Sequence, residues 1–198
     1  MEKTESNSII YKLDEFIRKF YKNQLIKGTL YAVGLGLAFY LGAAMLEYFA
    51  NFGTSVRTFL FYAWMLSSAF VITKYIALPL SKLYRLGKII SHEQAAAIIG
   101  LHFANVQDKL INYLQLSASK ADIVSSDLWQ ASIDQKIKEL KPVPFTSAID
   151  LTENKKHLRF VFIPIAVLIF ILFAAPSILT ESTKRLVNYN SEYNPPAP

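Results

Sequence analysis

Residues 28–80 read GTLYAVGLGLAFYLGAAMLEYFANFGTSVRTFLFYAWMLSSAFVITKYIALPL, two long apolar stretches at 28–50 and 56–80 separated by Asn51-Phe-Gly-Thr-Ser55. A helix rising 1.5 Å per residue needs about 20 residues to cross about 30 Å of hydrocarbon, and both stretches are long enough. The short polar break makes them an antiparallel hairpin, with Gly53 expected to supply a positive φ at the turn. A third stretch, LRFVFIPIAVLIFILFAAPSILT at 158–180, meets the same length. The first stretch is not a signal peptide, because 27 residues with four acids precede it and its apolar run is too long; no cleavage is expected.

Composition agrees with that reading. The 198 residues are 53% hydrophobic and only 18% charged, with mean hydropathy +0.27, which excludes overall disorder and favours a membrane protein. The absence of cysteine rules out a disulfide scaffold, thiolate metal sites and a cysteine nucleophile. The net charge of +6 suits nucleic acid or anionic lipid, and the placement of the charges decides between them.

The basic residues gather at the edges of the apolar stretches: Arg18, Lys19, Lys22 and Lys27 before the first, Lys82, Arg85 and Lys88 after the second, Lys155, Lys156 and Arg159 at the start of the third. Of the 21 Lys and Arg, only Arg57, Lys184 and Arg185 fall on the opposite side, while Lys74 lies inside a stretch. The positive-inside rule then puts the amino terminus and the middle region in the cytoplasm and the carboxyl end outside, as in a multi-pass membrane protein. No aromatic-interleaved basic motif points to nucleic acid.

The fold expected is all-α. It is an integral membrane protein with three transmembrane helices, an N-terminal amphipathic helix and a small helical cytoplasmic domain between spans two and three. The expected segments are a cytoplasmic amphipathic helix (1–27), a transmembrane hairpin (28–80), a cytoplasmic helical domain (81–157), a third transmembrane helix (158–180) and an exterior linker (181–198). In the first segment Ile9, Leu13, Phe16, Ile17, Phe20 and Gln24 share a face, which either lies in the lipid interface or packs on the middle domain. In the middle, residues 80–90 extend span two as a basic helix beyond Pro79, and Ser91 and Gln94 form a capping box. A short helix over 95–99 ends at Gly100, and a second over 106–116 carries Val106, Leu110, Tyr113 and Leu114. A third, starting near Ser125 or Ser126, carries Trp129, Ile133, Ile137 and Leu140 until Pro142 and Pro144 stop it. Thr152 is expected to cap a helix running from Glu153 into span three. The ending Tyr193-Asn-Pro-Pro-Ala-Pro198 favours an extended linker.

Chemistry is harder to find. Glu47 and Lys74 are ionisable groups within apolar stretches, yet they sit near opposite interfaces, on the order of 20 Å apart along the membrane normal at about 1.5 Å per residue. Glu47 is instead expected to meet Arg57 across the outer turn. Gly34, Ala38 and Gly42 form a ridge of small residues at four-residue steps, which packs either on Ala63 and Ser67 of span two or on another protein's helix. Pro164 and Pro176 are expected to kink span three. His92, His102 and His157 lack ligand spacing, and no phosphate loop, GxSxG, HExxH or kinase motif occurs, so neither a cofactor nor an enzymatic activity is expected. Asp108, Lys109, Asp134 and Asp150 read as solvated charges.

Several phrases, Lys12-Leu-Asp-Glu-Phe-Ile-Arg-Lys19, Glu93-Gln-Ala-Ala, Asp108-Lys-Leu-Ile-Asn, Ala131-Ser-Ile-Asp-Gln-Lys136, Pro142-Val-Pro-Phe-Thr-Ser-Ala-Ile-Asp150 and Thr183-Lys-Arg-Leu-Val-Asn-Tyr-Asn190, together resemble the amino-terminal region of a family of large uncharacterised membrane proteins of Bacteroidota. The resemblance covers nearly the whole chain and carries no catalytic residue. It implies a longer parent protein whose exterior helical region follows the third span, with the Pro-Pro-Ala-Pro ending marking where that region would begin. The function expected is an inner-membrane anchor and assembly scaffold of a larger envelope protein, acting by position and protein contacts. Its partners are the lipid bilayer, other membrane or envelope proteins and a second copy of itself. The alternative is an oligomeric transporter or channel subunit built along the Gly34, Ala38, Gly42 ridge.

Overall fold

The computed structural model describes residues 2–118 and 126–191, and every regular element among them is helical. The chain divides into two compact units, residues 1–23 with 81–151 and residues 24–80 with 152–198. One helix, α1 (Glu2–Ala50), supplies residues to both. Two separate elements were expected here, but nothing between Lys22 and Gly28 breaks a helix, and a single interior glycine costs only about 1 kcal/mol.

In the first unit the amphipathic face of α1 is covered by protein. Ile9, Leu13, Phe16, Ile17 and Tyr21 are buried against Ala95, Ala96 and Ile99 of α4 (His92–His102), Leu110 and Tyr113 of α5 (Gln107–Ala118), and Ile133, Ile137 and Leu140 of α6 (Ser126–Leu140). Phe20 borders this core, while Gln24 is exposed. The packing option for this stripe is thus the one realised, and Tyr21 joins it, its hydroxyl accepting the Ile90 N–H at 3.0 Å. The Ser91 and Gln94 capping box is present in both directions. Helix α4 continues past Gly100, whose missing side chain makes room for Gln107; an added Cβ would lie 2.4 Å from that side chain. After α6, the Lys12 ammonium donates to the Lys141 and Val143 carbonyls, and Lys19 donates to Thr146 at 2.7 Å, satisfying carbonyls left over beyond the helix end.

Two further local expectations fail. Residues 84–90 do not extend the preceding helix: α3 (Leu78–Leu83) ends in a Schellman motif, with Leu86 N–H on the Ser81 carbonyl at 2.8 Å and Arg85 N–H on Lys82 at 3.1 Å. The left-handed residue of that motif is Arg85 (φ 58°), and its guanidinium reaches Asp14 at 2.8 Å. Likewise the helix expected from Glu153 is a 3-10 stretch, Leu151–His157, before α7 (Arg159–Ala174).

The second unit holds α2 (Thr54–Ile72), a π-helical turn (Thr73–Ala77), α7 and α8 (Pro176–Val187) around the carboxyl-terminal half of α1. Gly34 lies against Phe160, and Leu41 and Ala44 cluster with Ile171, so α7 runs parallel to α1. The turn to α2 uses Asn51 (φ 46°) as its left-handed residue, whereas Gly53 has φ −67°; asparagine tolerates this conformation, and its side chain accepts from Arg185. Pro176 cannot donate to the α7 ladder, so the third apolar stretch breaks at Ala175. Residues 181–187 are therefore helical, not an extended linker, and bury Ser182 and Leu186. Ser125 and residues 192–198 lie outside the described residues.

Among the described residues three stretches are long and apolar enough to cross a membrane. None of the most apolar window of the α2 stretch is buried, and Phe59, Leu66 and Phe70 are each about two-thirds exposed.

The first unit depends on the α1 stripe. Phe16→Ala should cost about 3–5 kcal/mol, because the ring is fully buried, whereas Tyr11→Ala, at an exposed site of the same helix, should stay within about 0.5 kcal/mol. Denaturant unfolding followed by circular dichroism separates the two.

Candidate functional site

Two glycines of α1 touch carbonyls that prolines have released. Pro79 has no N–H, so the Tyr75 carbonyl lacks its i+4 donor and the chain widens into the π-helical turn there. Gly28 sits against that oxygen, where an added Cβ would lie 2.1 Å away. Pro164 does the same to Phe160, whose carbonyl oxygen would be 2.3 Å from a Cβ on Gly34. Polarised Cα–H groups facing such oxygens partly replace the lost donors, and absent side chains let the backbones approach.

The ridge expected along α1 is accordingly divided. Gly34 packs on α7 and not on α2, Gly42 has nothing within 4 Å of its would-be side chain, and Ala38 is exposed. Ala63 is half-buried and Ser67 exposed. Ala38 and Ser67 face one open groove of about 360 Å³ between α1 and α2, with Leu35, Ser68 and Val71. The ridge does not knit α1 to α2 because the α1–α7 contact takes its inner glycine first.

The hairpin is instead fastened at its turn. Glu47 and Arg57 are buried and 3.2 Å apart, as expected from their positions. Arg57 also donates to the Phe52 carbonyl at 2.8 Å and to the Ser191 carbonyl at 3.0 Å. Arg185 donates to Asn51 and meets Glu181 at 3.4 Å, and Tyr40 and Thr183 share a hydroxyl hydrogen bond of 2.6 Å. These contacts bind α8 across the α1–α2 turn. Removing either member of a buried ion pair strands the other, which is far more costly than the pair's net value.

At the other end of the same unit the rings of Tyr31, Tyr75, His157 and Phe160 gather, with the Tyr31 hydroxyl 3.0 Å from His157 Nδ1. Lys74 Nζ lies 5.4 Å over Tyr75, and the Arg159 guanidinium 5.2 Å over Phe160. This is the arrangement of amphipathic rings and snorkelling cations found at membrane–water boundaries.

The basic residues divide between packing and solvent. Lys19, Lys82 and Arg85 act inside the first unit: Lys19 on Thr146, Lys82 Nζ 5.9 Å over Tyr21, and Arg85 on Asp14. Arg18, Lys22, Lys27, Lys88 and Lys155 are exposed, and Lys156 meets Glu153 at 3.7 Å.

Among the described residues no three His, Asp or Glu side chains converge as a metal site would need. Asp14 takes both Arg85 and His92, the latter at 3.0 Å. Burial alone would raise its pKa, but the hydrogen bonds from His92 and Arg85 and their charges outweigh burial and hold the carboxyl below its ordinary value. Glu139 is likewise lowered, chiefly by its hydrogen bond from Lys109 at 2.9 Å. Asp108 is exposed, and Asp134 is half-buried.

No protein-family model, curated protein or solved structure matches the chain.

The divided ridge sets a test within one helix. Gly34→Ala should destabilise by about 1–3 kcal/mol, since the new methyl meets fixed backbone. Gly42→Ala should be neutral or stabilise by up to about 1 kcal/mol through helix propensity. Thermal unfolding in detergent micelles reads both.

Proposed function

We propose that the chain is an anchor and assembly module of the bacterial inner membrane, with its amino terminus and residues 81–157 in the cytoplasm and its carboxyl end outside. The observation that carries this reading is the bare apolar surface of α2, which suits hydrocarbon and would be costly in water. The basic residues beside the Tyr31 and Tyr75 rings support the orientation. The first unit forms a closed helical core on the stem of α1, which suits a docking platform with no need of chemistry. Ala38 and Gly42 remain open on α1 and offer a close-approach face to the helix of a partner or a second copy. The resemblance to large Bacteroidota membrane proteins fits the same role, in which the third span links this platform to an envelope-facing region.

Because the chain has no cysteine, orientation can be mapped by single introductions. Leu101→Cys and Lys184→Cys are both at exposed positions. In intact spheroplasts a membrane-impermeant maleimide should label Lys184→Cys and spare Leu101→Cys until the cells are lysed. The reverse pattern would overturn the orientation.

A further inference from the structure

The aromatic end of the second unit opens into a groove of about 420 Å³ between α1 and α7, within the size range of small-molecule sites. Its walls are Gly34, Leu35, Ala38, Ile163 and Pro164 toward the middle of the apolar stretches, and the rings of Tyr31, Tyr75 and Phe160 at one end. The polarity therefore changes along the groove. The ring end bears Lys74 over Tyr75, Arg159 over Phe160, and His157 on the Tyr31 hydroxyl. Glu153, the acid nearest to these residues in sequence, pairs with Lys156.

We propose that this groove holds one anionic phospholipid, an acyl chain along Gly34, Ala38 and Ile163 and the phosphate between Lys74, Arg159 and Tyr31. The proposal rests on the membrane reading above and adds a ligand to it. An apolar slot alone would accept any lipid tail. Lys74 and Arg159, which lie over the Tyr75 and Phe160 rings that line one end of it, add charge complementarity, and with the Tyr31 hydroxyl they select for a negative headgroup. The slot exists because of local sequence: Ala38 carries too little side chain to fill it, and glycine at position 34 lets the Phe160 backbone come in close as one wall. Arg159 and Lys74 are exposed, so a phosphate can reach them.

The test uses the full chain in detergent, titrated with palmitoyl-oleoyl phosphatidylglycerol or phosphatidylcholine and read by native mass spectrometry. One phosphatidylglycerol should be retained with at least about fivefold preference over phosphatidylcholine. Lys74→Ala combined with Arg159→Ala should erase the preference, whereas Lys74→Arg with Arg159→Lys should keep it. Ile163→Trp, which fills the slot from an exposed position, should reduce retention of both lipids. Circular dichroism establishes that each variant remains helical. Equal retention of the two lipids by the parent chain, or a preference that survives the double alanine variant, overturns the proposal. A chain that purifies as a water-soluble monomer without detergent fails the membrane reading itself, before any lipid is added.

Discussion

Water is a poor cover for the surface that α2 presents. Phe59, Leu66 and Phe70 stand outward around the helix, and among the described residues nothing folds over them. Each such side chain left in water forfeits roughly 1.5–3 kcal/mol that burial would return, so several together amount to a large part of a domain's stability. Hydrocarbon removes that cost without a partner. It also imposes its own constraint, that backbone polar groups be satisfied inside the protein. The prolines of the second unit are where this constraint is felt: Pro79 and Pro164 release the Tyr75 and Phe160 carbonyls, and Gly28 and Gly34 of α1 come up against them. Close helix contact and the partial relief of these carbonyls thus fall on the same four residues.

The ends of the second unit are held by different chemistry. At the α1–α2 turn a buried carboxylate and guanidinium meet, while the arginine Nε–H donates to the Phe52 carbonyl and another guanidinium N–H to the Ser191 carbonyl beyond α8. Such a pair contributes little net stability but strongly penalises arrangements that separate it, so it fixes the α1–α2–α8 geometry more than it strengthens it. At the aromatic end the rings and cations are only partly covered, which leaves them able to meet polar headgroups. The first unit differs from both, with an ordinary hydrophobic core assembled on the stem of α1.

Much of this was legible in the sequence because the signals were local and strong. The three apolar stretches, the Ser91 and Gln94 box, the stripe from Ile9 to Ile17 and the α6 stripe Ile133, Ile137, Leu140 follow from length, capping and period. Glu47 and Arg57 could be paired because a five-residue turn leaves few alternatives. The failures are of another kind. Gly53 was favoured for the turn by propensity, yet Asn51 holds the left-handed position and gains Arg185 through its side chain. Arg85 ends α3 in a conformation usually given to glycine because Asp14, distant in sequence, holds its guanidinium. The small-residue ridge announced a close approach but not its partner: spacing identifies a flat face, and only the released Phe160 carbonyl explains why α7 takes Gly34. The break at Pro176 was visible, but α8 needed the α1–α2 turn as a surface before residues 181–187 became worth ordering.

The most direct test is the environment of α2. A nitroxide at Leu66→Cys in lipid nanodiscs should be mobile, collide readily with dissolved oxygen and be shielded from a water-soluble nickel chelate. Strong nickel collisions at that site would put the helix in water and contradict the membrane reading of the entire second unit.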